Sequence, residues 1–437
     1  MLIIFLTTLL ALYICIYAYS ITQKEYCFVT LQKKQYHVDS RTLFAAFTLM
    51  TAPNFIFHAC ELKYLCWIAL VSYLLLSKKY DFHVCDVTWW LSIVIIDVLI
   101  GVVWGGHWLR GSMMLVKYLI LIFFFSIGFN IDIDNKKLTF IFQYALRGIV
   151  LALVFASGMT MLLVPPMYWV TNLFFFGQAG ISDCFTVFVP ICLSSALLLK
   201  NKKYVLIALL CLLSDICFVV RTGIGGWFIA TAVYMGLRKQ IKMLFLMLIL
   251  LLLAILSFIY ITPIRNKTYS QQIQERFASE GFGSYLFERE NLMDSGRQGI
   301  HDAVLAHLPA EKGIFGYGSG TTNDTLRRLN KQYGIAAIMH NDYAVMLIDN
   351  GVVGISLWIG LLLSLYIRII KVVFTKNNSE LTRILGITAA SSLAGATFAM
   401  HYDNVLAHSM SSIGIPFLLL GMFYRSMHND RRSRALP

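Results

Sequence analysis

Apolar stretches alternate with short polar connections along almost the whole chain. A helix that crosses a bilayer takes roughly 20 largely apolar residues. On that measure the pattern predicts thirteen spans, at 2–19, 42–58, 62–77, 88–105, 112–130, 144–164, 183–199, 204–220, 223–237, 243–262, 352–373, 384–400 and 408–424. One interruption breaks the series. From Pro263 to His340 the chain is polar, charged and glycine-marked, passing through Ser295-Gly296-Arg297 and Gly316-Tyr317-Gly318-Ser319-Gly320 to His340-Asn341-Asp342. The expected organisation is an N-terminal transmembrane bundle (1–262), a loop with short helices (263–340), and C-terminal transmembrane helices with a basic tail (341–437).

Within the loop, Ile300, Ala303, Val304 and His307 recur at helical spacing, which predicts a helix over 298–307 ended by Pro309. A shorter helix is expected over 271–278. Gly313 to Gly320 is too rich in glycine for either regular element and predicts a turn-forming connector.

Composition agrees with a polytopic, all-α membrane protein of about 12–13 spans: 437 residues, 58% hydrophobic and 14% charged. Met1 to Ser20 lacks a basic n-region and a small-x-small cleavage site, so it is expected to remain as the first span. The 36 Lys and Arg against 23 Asp and Glu would suit a nucleic-acid partner, but their placement points elsewhere. With the N-terminus outside, Lys136 and Lys137, Lys200 to Lys203, Arg238 to Lys242 and Arg431 to Arg434 all fall on the inner side. The short outer connections hold few, such as Lys63 and Arg110. That is the positive-inside bias, and it leaves the large loop extracytoplasmic and nucleic acid without a role. The nine cysteines are scattered, none in the loop, and no Cys/His spacing predicts a metal site.

Three places put polar chemistry at the outer boundary. Arg221 opens Arg221-Thr222-Gly223-Ile224-Gly225-Gly226, where a charge between two spans is costly unless it meets water, a partner or a cavity. The glycines there permit unusual dihedrals and close backbone approach, and helix-start amides suit an anion; the alternative is an arginine snorkelling to headgroups. Arg297 offers a planar fork for phosphate oxygens, or pairs with Asp294 or Asp302. His340 carries an imidazole, a side chain that can take a proton from a hydroxyl, or is a buried histidine bonded to a carbonyl. His401, Asp403 and His408 lie in a short outer connection and are expected to form a solvated turn. Gly316 to Gly320 lacks the Gly-Lys-Ser/Thr of a phosphate-binding loop.

His340-Asn341, nine residues, then Gly351-Val352-Val353-Gly354, with the Arg-Thr-Gly-x-Gly-Gly turn and the Ser-Gly-Arg and Phe-Gly-Tyr-Gly-Ser-Gly stretches, resembles the O-antigen ligase and Wzy-type O-antigen polymerase superfamily. The likeness covers about 219–355. It implies a GT-C-like inverting glycosyltransferase in the bacterial inner membrane, with its site facing the periplasm. Undecaprenyl-diphosphate-linked glycan would serve as donor and acceptor, with no nucleotide sugar, metal or other cofactor, and with a chain-length regulator as possible partner. The family's two essential arginines and one histidine carry over to Arg221, Arg297 and His340, while Arg265, Arg276 and Arg289 compete for the loop position. Asn341, Asp342 and Gly225 are the other candidates for substrate binding. The Ser-Gly-Arg and Phe-Gly-Tyr-Gly-Ser-Gly wording favours a polymerase over a ligase, which would transfer to lipid A-core. A flippase or transporter is the alternative from another class; it calls for charge deep in the spans, whereas buried charge here is sparse (Asp97, Lys117, Arg147, Asp215 and Asp349).

Overall fold

A computed structural model describes residues 27–31, 34–52, 84–154, 178–218, 220–261, 271–281, 297–308, 313–333, 339–408 and 410–435. The expected spans 2–19 and 62–77, and parts of 42–58 and 144–164, lie outside the described residues, as do Arg265 and Arg289. An antiparallel hairpin, β1 (Cys27–Leu31) and β2 (Lys34–Val38), pairs Cys27 with Val38. Everything else regular among the described residues is helical.

Helices α1 (Ser40–Thr51), α2 (Asp86–Gly105), α3 (Trp108–Phe129) and α4 (Asn135–Ala152) come first. Then follow α5 (Gln178–Leu198), α6 (Lys203–Phe218), α7 (Arg221–Leu237) and α8 (Ile241–Tyr260). The polar interruption contributes α9 (Gln271–Glu280), α10 (Arg297–Ala306) and α11 (Thr321–Tyr333). The chain closes with α12 (Asp342–Asp349), α13 (Gly351–Phe374), α14 (Glu380–Tyr402), α15 (Val405–His408) and α16 (Met410–Ala435). Side-chain caps set several of these starts. Asp39, Asp134, Asn341 and Ser379 accept from Thr42 N, Lys137 N, Ala344 N and Thr382 N, each satisfying a helix-start amide that has no intrahelical partner.

Four helices, α2, α3, α13 and α14, are long and apolar enough to cross a membrane. Their surroundings fit that environment. α2 exposes Ile96, Leu99, Ile100 and Val103, α8 exposes Phe245, Leu248 and Leu252, and α13 exposes Ile359, Leu363 and Ile367. In water so broad an apolar belt would drive association. Trp89 and Trp104, 63% and 79% exposed, sit about 22 Å apart along α2, where interfacial tryptophans mark the two edges of a bilayer. Inside, α3 and α16 pack backbone to backbone: a Cβ on Gly128 would strike Leu418 O, and one on Gly421 would strike Phe125 O. Close approach of this kind is how helices gain contact where lipid removes the hydrophobic drive.

Cross-links sort the bundle's two ends. At one end Arg368 pairs with Asp86 at 3.0 Å and Lys137 with Asp39 at 3.2 Å. There too Asp430 accepts from Ser379 and Thr382, and Arg434 donates to Asn377 O. The residues 105–108, the cap helices α10 and α11, and the α14–α15 turn gather at the other end. Two elements there were not anticipated from hydropathy, α11 and α12.

Candidate functional site

α14 is the most enclosed of the four spanning-length helices, and it supplies the axis of the site. Its last turn ends at Asp403, whose amide donates to Ala399 O at 2.7 Å as the chain turns away in an extended conformation. The Asp403 side chain is 7% exposed, accepts from Asn404 N at 2.9 Å, and lies 2.9 Å from His340 Nδ1. Of the turn expected to be solvated, His401 is exposed, the His408 side chain is not among the described ones, and Asp403 is instead a buried carboxylate, because the chain reversal folds it beneath the segment carrying His340. His340 keeps 32% of its side chain exposed. One ring nitrogen is anchored and the ring still reaches the surface.

Neighbours fix that segment from both sides. Met339 is buried with Ile300 and Val304 of α10, Leu326 and Leu329 of α11, and Val345 and Ile348 of α12. Asn341 caps α12, and Asp342, 2% exposed, accepts from Leu406 N at 2.7 Å. The side-chain oxygens of Asn341 and Asp342 thus hold backbone amides and set the position of His340.

Arg221 is the first residue of α7, and its side chain is exposed. α7 runs antiparallel to α14. A Cβ on Gly225 would meet the Phe398 ring, while Tyr234 and Thr388, further along, share Ser194. Arg221 stands one turn, about 6 Å, beyond Gly225, on the side of Tyr402. Arg221 and His340 therefore lie at the same end of α14. Of the two expectations for the glycines, close approach holds and unusual dihedrals do not. None of Gly223, Gly225 and Gly226 has a positive φ; they sit within α7 and admit Ser182 and Asp215, Phe398 and Thr186 respectively. They allow close packing of helices rather than unusual dihedrals.

Arg297 opens α10, inside the cap that also buries Met339; its side chain is not among the described ones. Arg276 is exposed on α9 and pairs with Glu280 at 2.7 Å across one helical turn, which balances its charge locally.

The Gly316–Gly320 connector is a joint. Gly316, Gly318 and Gly320 have φ of 73°, 100° and 95°, values that side chains beyond glycine rarely take. Tyr317 N and Gly318 N donate to Ile348 O and Asp349 O, and Ser319 N donates to Gly101 O. The Asp349 carboxylate accepts from Gly320 N, Thr322 N and Thr322 Oγ1 at 2.8, 2.9 and 2.6 Å. It thereby caps α11 from a distant part of the chain. Burial pushes Asp349 up to about 6, against the three donors that favour its ionised form. A second tie is His107 Nδ1 with Asp324 Oδ2 at 2.6 Å, joining the α2–α3 turn to α11. Among the described residues no cluster of His, Cys, Asp and Glu could hold a metal ion.

No family model and no curated protein matches the chain. The arrangement itself can do two things: hold a histidine with one nitrogen anchored and one face open, and present an arginine from a helix start at the same end. Asp403 and the cap contacts of Met339 are the parts that sequence spacing did not bring together.

Proposed function

We propose that the protein is a membrane-embedded glycosyltransferase of GT-C-like architecture. It joins undecaprenyl-diphosphate-linked oligosaccharide repeat units on the periplasmic face of a bacterial inner membrane. The observation that carries this reading is the pairing of His340 with buried Asp403, 2.9 Å apart, at the end of α14 where α7 also begins with Arg221. The basic end is cytoplasmic in this reading, by the positive-inside bias, and the polar interruption caps the outer end.

In the reaction, His340 Nδ1–H donates to Asp403, which leaves the Nε2 lone pair to act as base. The acceptor hydroxyl passes its proton to Nε2 as its oxygen attacks the anomeric carbon. The bond from that carbon to the diphosphate oxygen breaks on the opposite face, so configuration inverts and undecaprenyl diphosphate leaves with the electron pair. Negative charge grows on the leaving group, and Arg221 with the first-turn amides of α7 faces it; Arg297 of the cap is the second arginine. Guanidinium groups fixed toward developing charge stabilise the transition state without reorganising. Proton removal by a placed base contributes about 10²–10⁴ in rate. The polyprenyl chain lies along the exposed apolar walls of α8 and α13.

Reconstitution in liposomes with lipid-linked repeat units tests the reading. Ladders of lengthening glycan from repeat units alone are the expected result, and transfer only when lipid A-core is added would make the protein a ligase. His340→Ala and Arg221→Ala proteins that stay folded and form ladders at the wild-type rate would remove the assignment. Lipid movement across the bilayer without any new glycosidic bond would favour a transporter.

A further inference from the structure

At the end of α14 that is shared by His340 and Arg221, four rings make a chain of contacts that takes no part in the chemistry above. Tyr343, one turn after His340, lies 6.3 Å from His401, ring centre to ring centre. His401 meets Tyr402 edge-on at 4.7 Å, and Tyr402 meets Phe398 at 5.1 Å. Phe398 in turn abuts Gly225, one turn from Arg221. α14 buries most of its other side chains, yet at this end His401 is exposed and Tyr402 is 45% exposed. The Tyr343 hydroxyl donates to Thr397 O at 3.1 Å, so that ring is held in place and offers a face rather than a donor.

Resting on the glycosyltransferase reading, we propose that Tyr402 and His401, backed by Phe398 and Tyr343, form a platform for a pyranose ring of the acceptor glycan. The apolar C–H face of a hexopyranose stacks on aromatic rings, while its rim of hydroxyls needs polar groups at the edge. Here the platform ends at Asp403 and His340, where the reacting hydroxyl must sit. The rings pack edge-on or tilted against one another, so they are fixed before any sugar arrives, which lowers the entropy cost of binding. An interfacial tyrosine directed at lipid headgroups is the competing arrangement. It predicts no affinity for sugar and no coupling to His401.

The test is saturation-transfer NMR on the full chain in nanodiscs free of glycoside detergent. The probes are the methyl glycosides of glucose, galactose and N-acetylglucosamine, with mannitol as the acyclic control. Transfer to ring C–H protons of at least one glycoside is expected, falling about tenfold in Tyr402→Ala and staying within about twofold of wild type in Tyr402→Phe. Unchanged transfer in Tyr402→Ala overturns the platform, as does loss in Tyr402→Phe equal to that in Tyr402→Ala, or transfer to mannitol as strong as to the glycosides. Absence of transfer from folded wild-type protein overturns it too. The two readings fail separately. Glycoside binding through Tyr402 without ladder formation keeps the platform and removes the transferase, whereas ladders with an unchanged acceptor KM in Tyr402→Ala remove the platform alone.

Discussion

At the basic end, charged groups meet at the surface, whereas at the cap end carboxylates are buried beneath the backbone they hold. Arg368 with Asp86 and Lys137 with Asp39 leave between 20% and 38% of each side chain exposed. Asp342, Asp349 and Asp403 are buried, and each accepts from at least one backbone amide. Water screens the first kind of contact, so each pair is worth about 0–1 kcal/mol. Removing a partner from the second kind strands a buried donor or acceptor at about 1–3 kcal/mol. In the proposed topology the same residue types orient one end with respect to the bilayer and rigidify the other.

Activity should break first at the buried pair. Asp403→Asn keeps the volume but offers an amide to His340 Nδ1, so the ring can take the wrong tautomer for proton removal. The expected loss in kcat is about 10²–10³, with KM nearly unchanged and the thermal transition within a few degrees of wild type. A variant equally active would detach Asp403 from the chemistry and leave it a structural carboxylate like Asp342. In the proposed mechanism His340→Ala removes the base itself and should cost as much or more.

Stability should break next at the joint. Asp349→Ala leaves Gly320 N, Thr322 N and Thr322 Oγ1 without their acceptor, a loss of about 3 kcal/mol. It should loosen α11 before the spans, seen as faster amide exchange over 317–329. The charge has a pH signature of its own. Asp349 titrates near 6 in the folded chain, above its usual 3.8, so the fold binds this proton more tightly than the unfolded chain does. The contribution is complete below about pH 4 and is lost as pH rises through 6, amounting to about 3 kcal/mol at most. Subtracting the pH profile of Asp349→Asn from that of wild type isolates it. A difference that grows more favourable to wild type between pH 4 and 6 would reverse the sign and show that the three donors outweigh burial.

How far all this could be read from the chain depends on what kind of signal each part leaves. Apolar windows mark α2, α3, α13 and α14 because a bilayer demands length and hydrophobicity within one segment. α11 escaped because its packed face is made of Thr321, Thr322 and Thr325 with only Leu326 and Leu329; threonine methyls do the burying while hydropathy counts the residues as polar. Asp403 was visible as a residue but not as a partner, since it stands 63 positions from His340 and only the reversal at the end of α14 brings them together. Gly223, Gly225 and Gly226 carried a true signal, close approach, and the sequence alone does not say whether a helix or a ligand is what approaches.

The smallest expected effect tests the comparison from the other side. Arg368→Ala removes a pair with Asp86 at 3.0 Å, and the ammonium-for-guanidinium change Arg368→Lys keeps the charge but loses the planar donor pair. If the basic end serves mainly to hold the chain's orientation, both should shift the thermal transition by no more than about 1 kcal/mol in equivalent stability, and raised salt should narrow the gap between them. A loss near 3 kcal/mol in Arg368→Ala would mean that Asp86 at the start of α2 depends on this partner as strongly as the cap depends on Asp349. The two ends would then share one design, and the low cost assigned to exposed pairs at the membrane edge would be the step that fails.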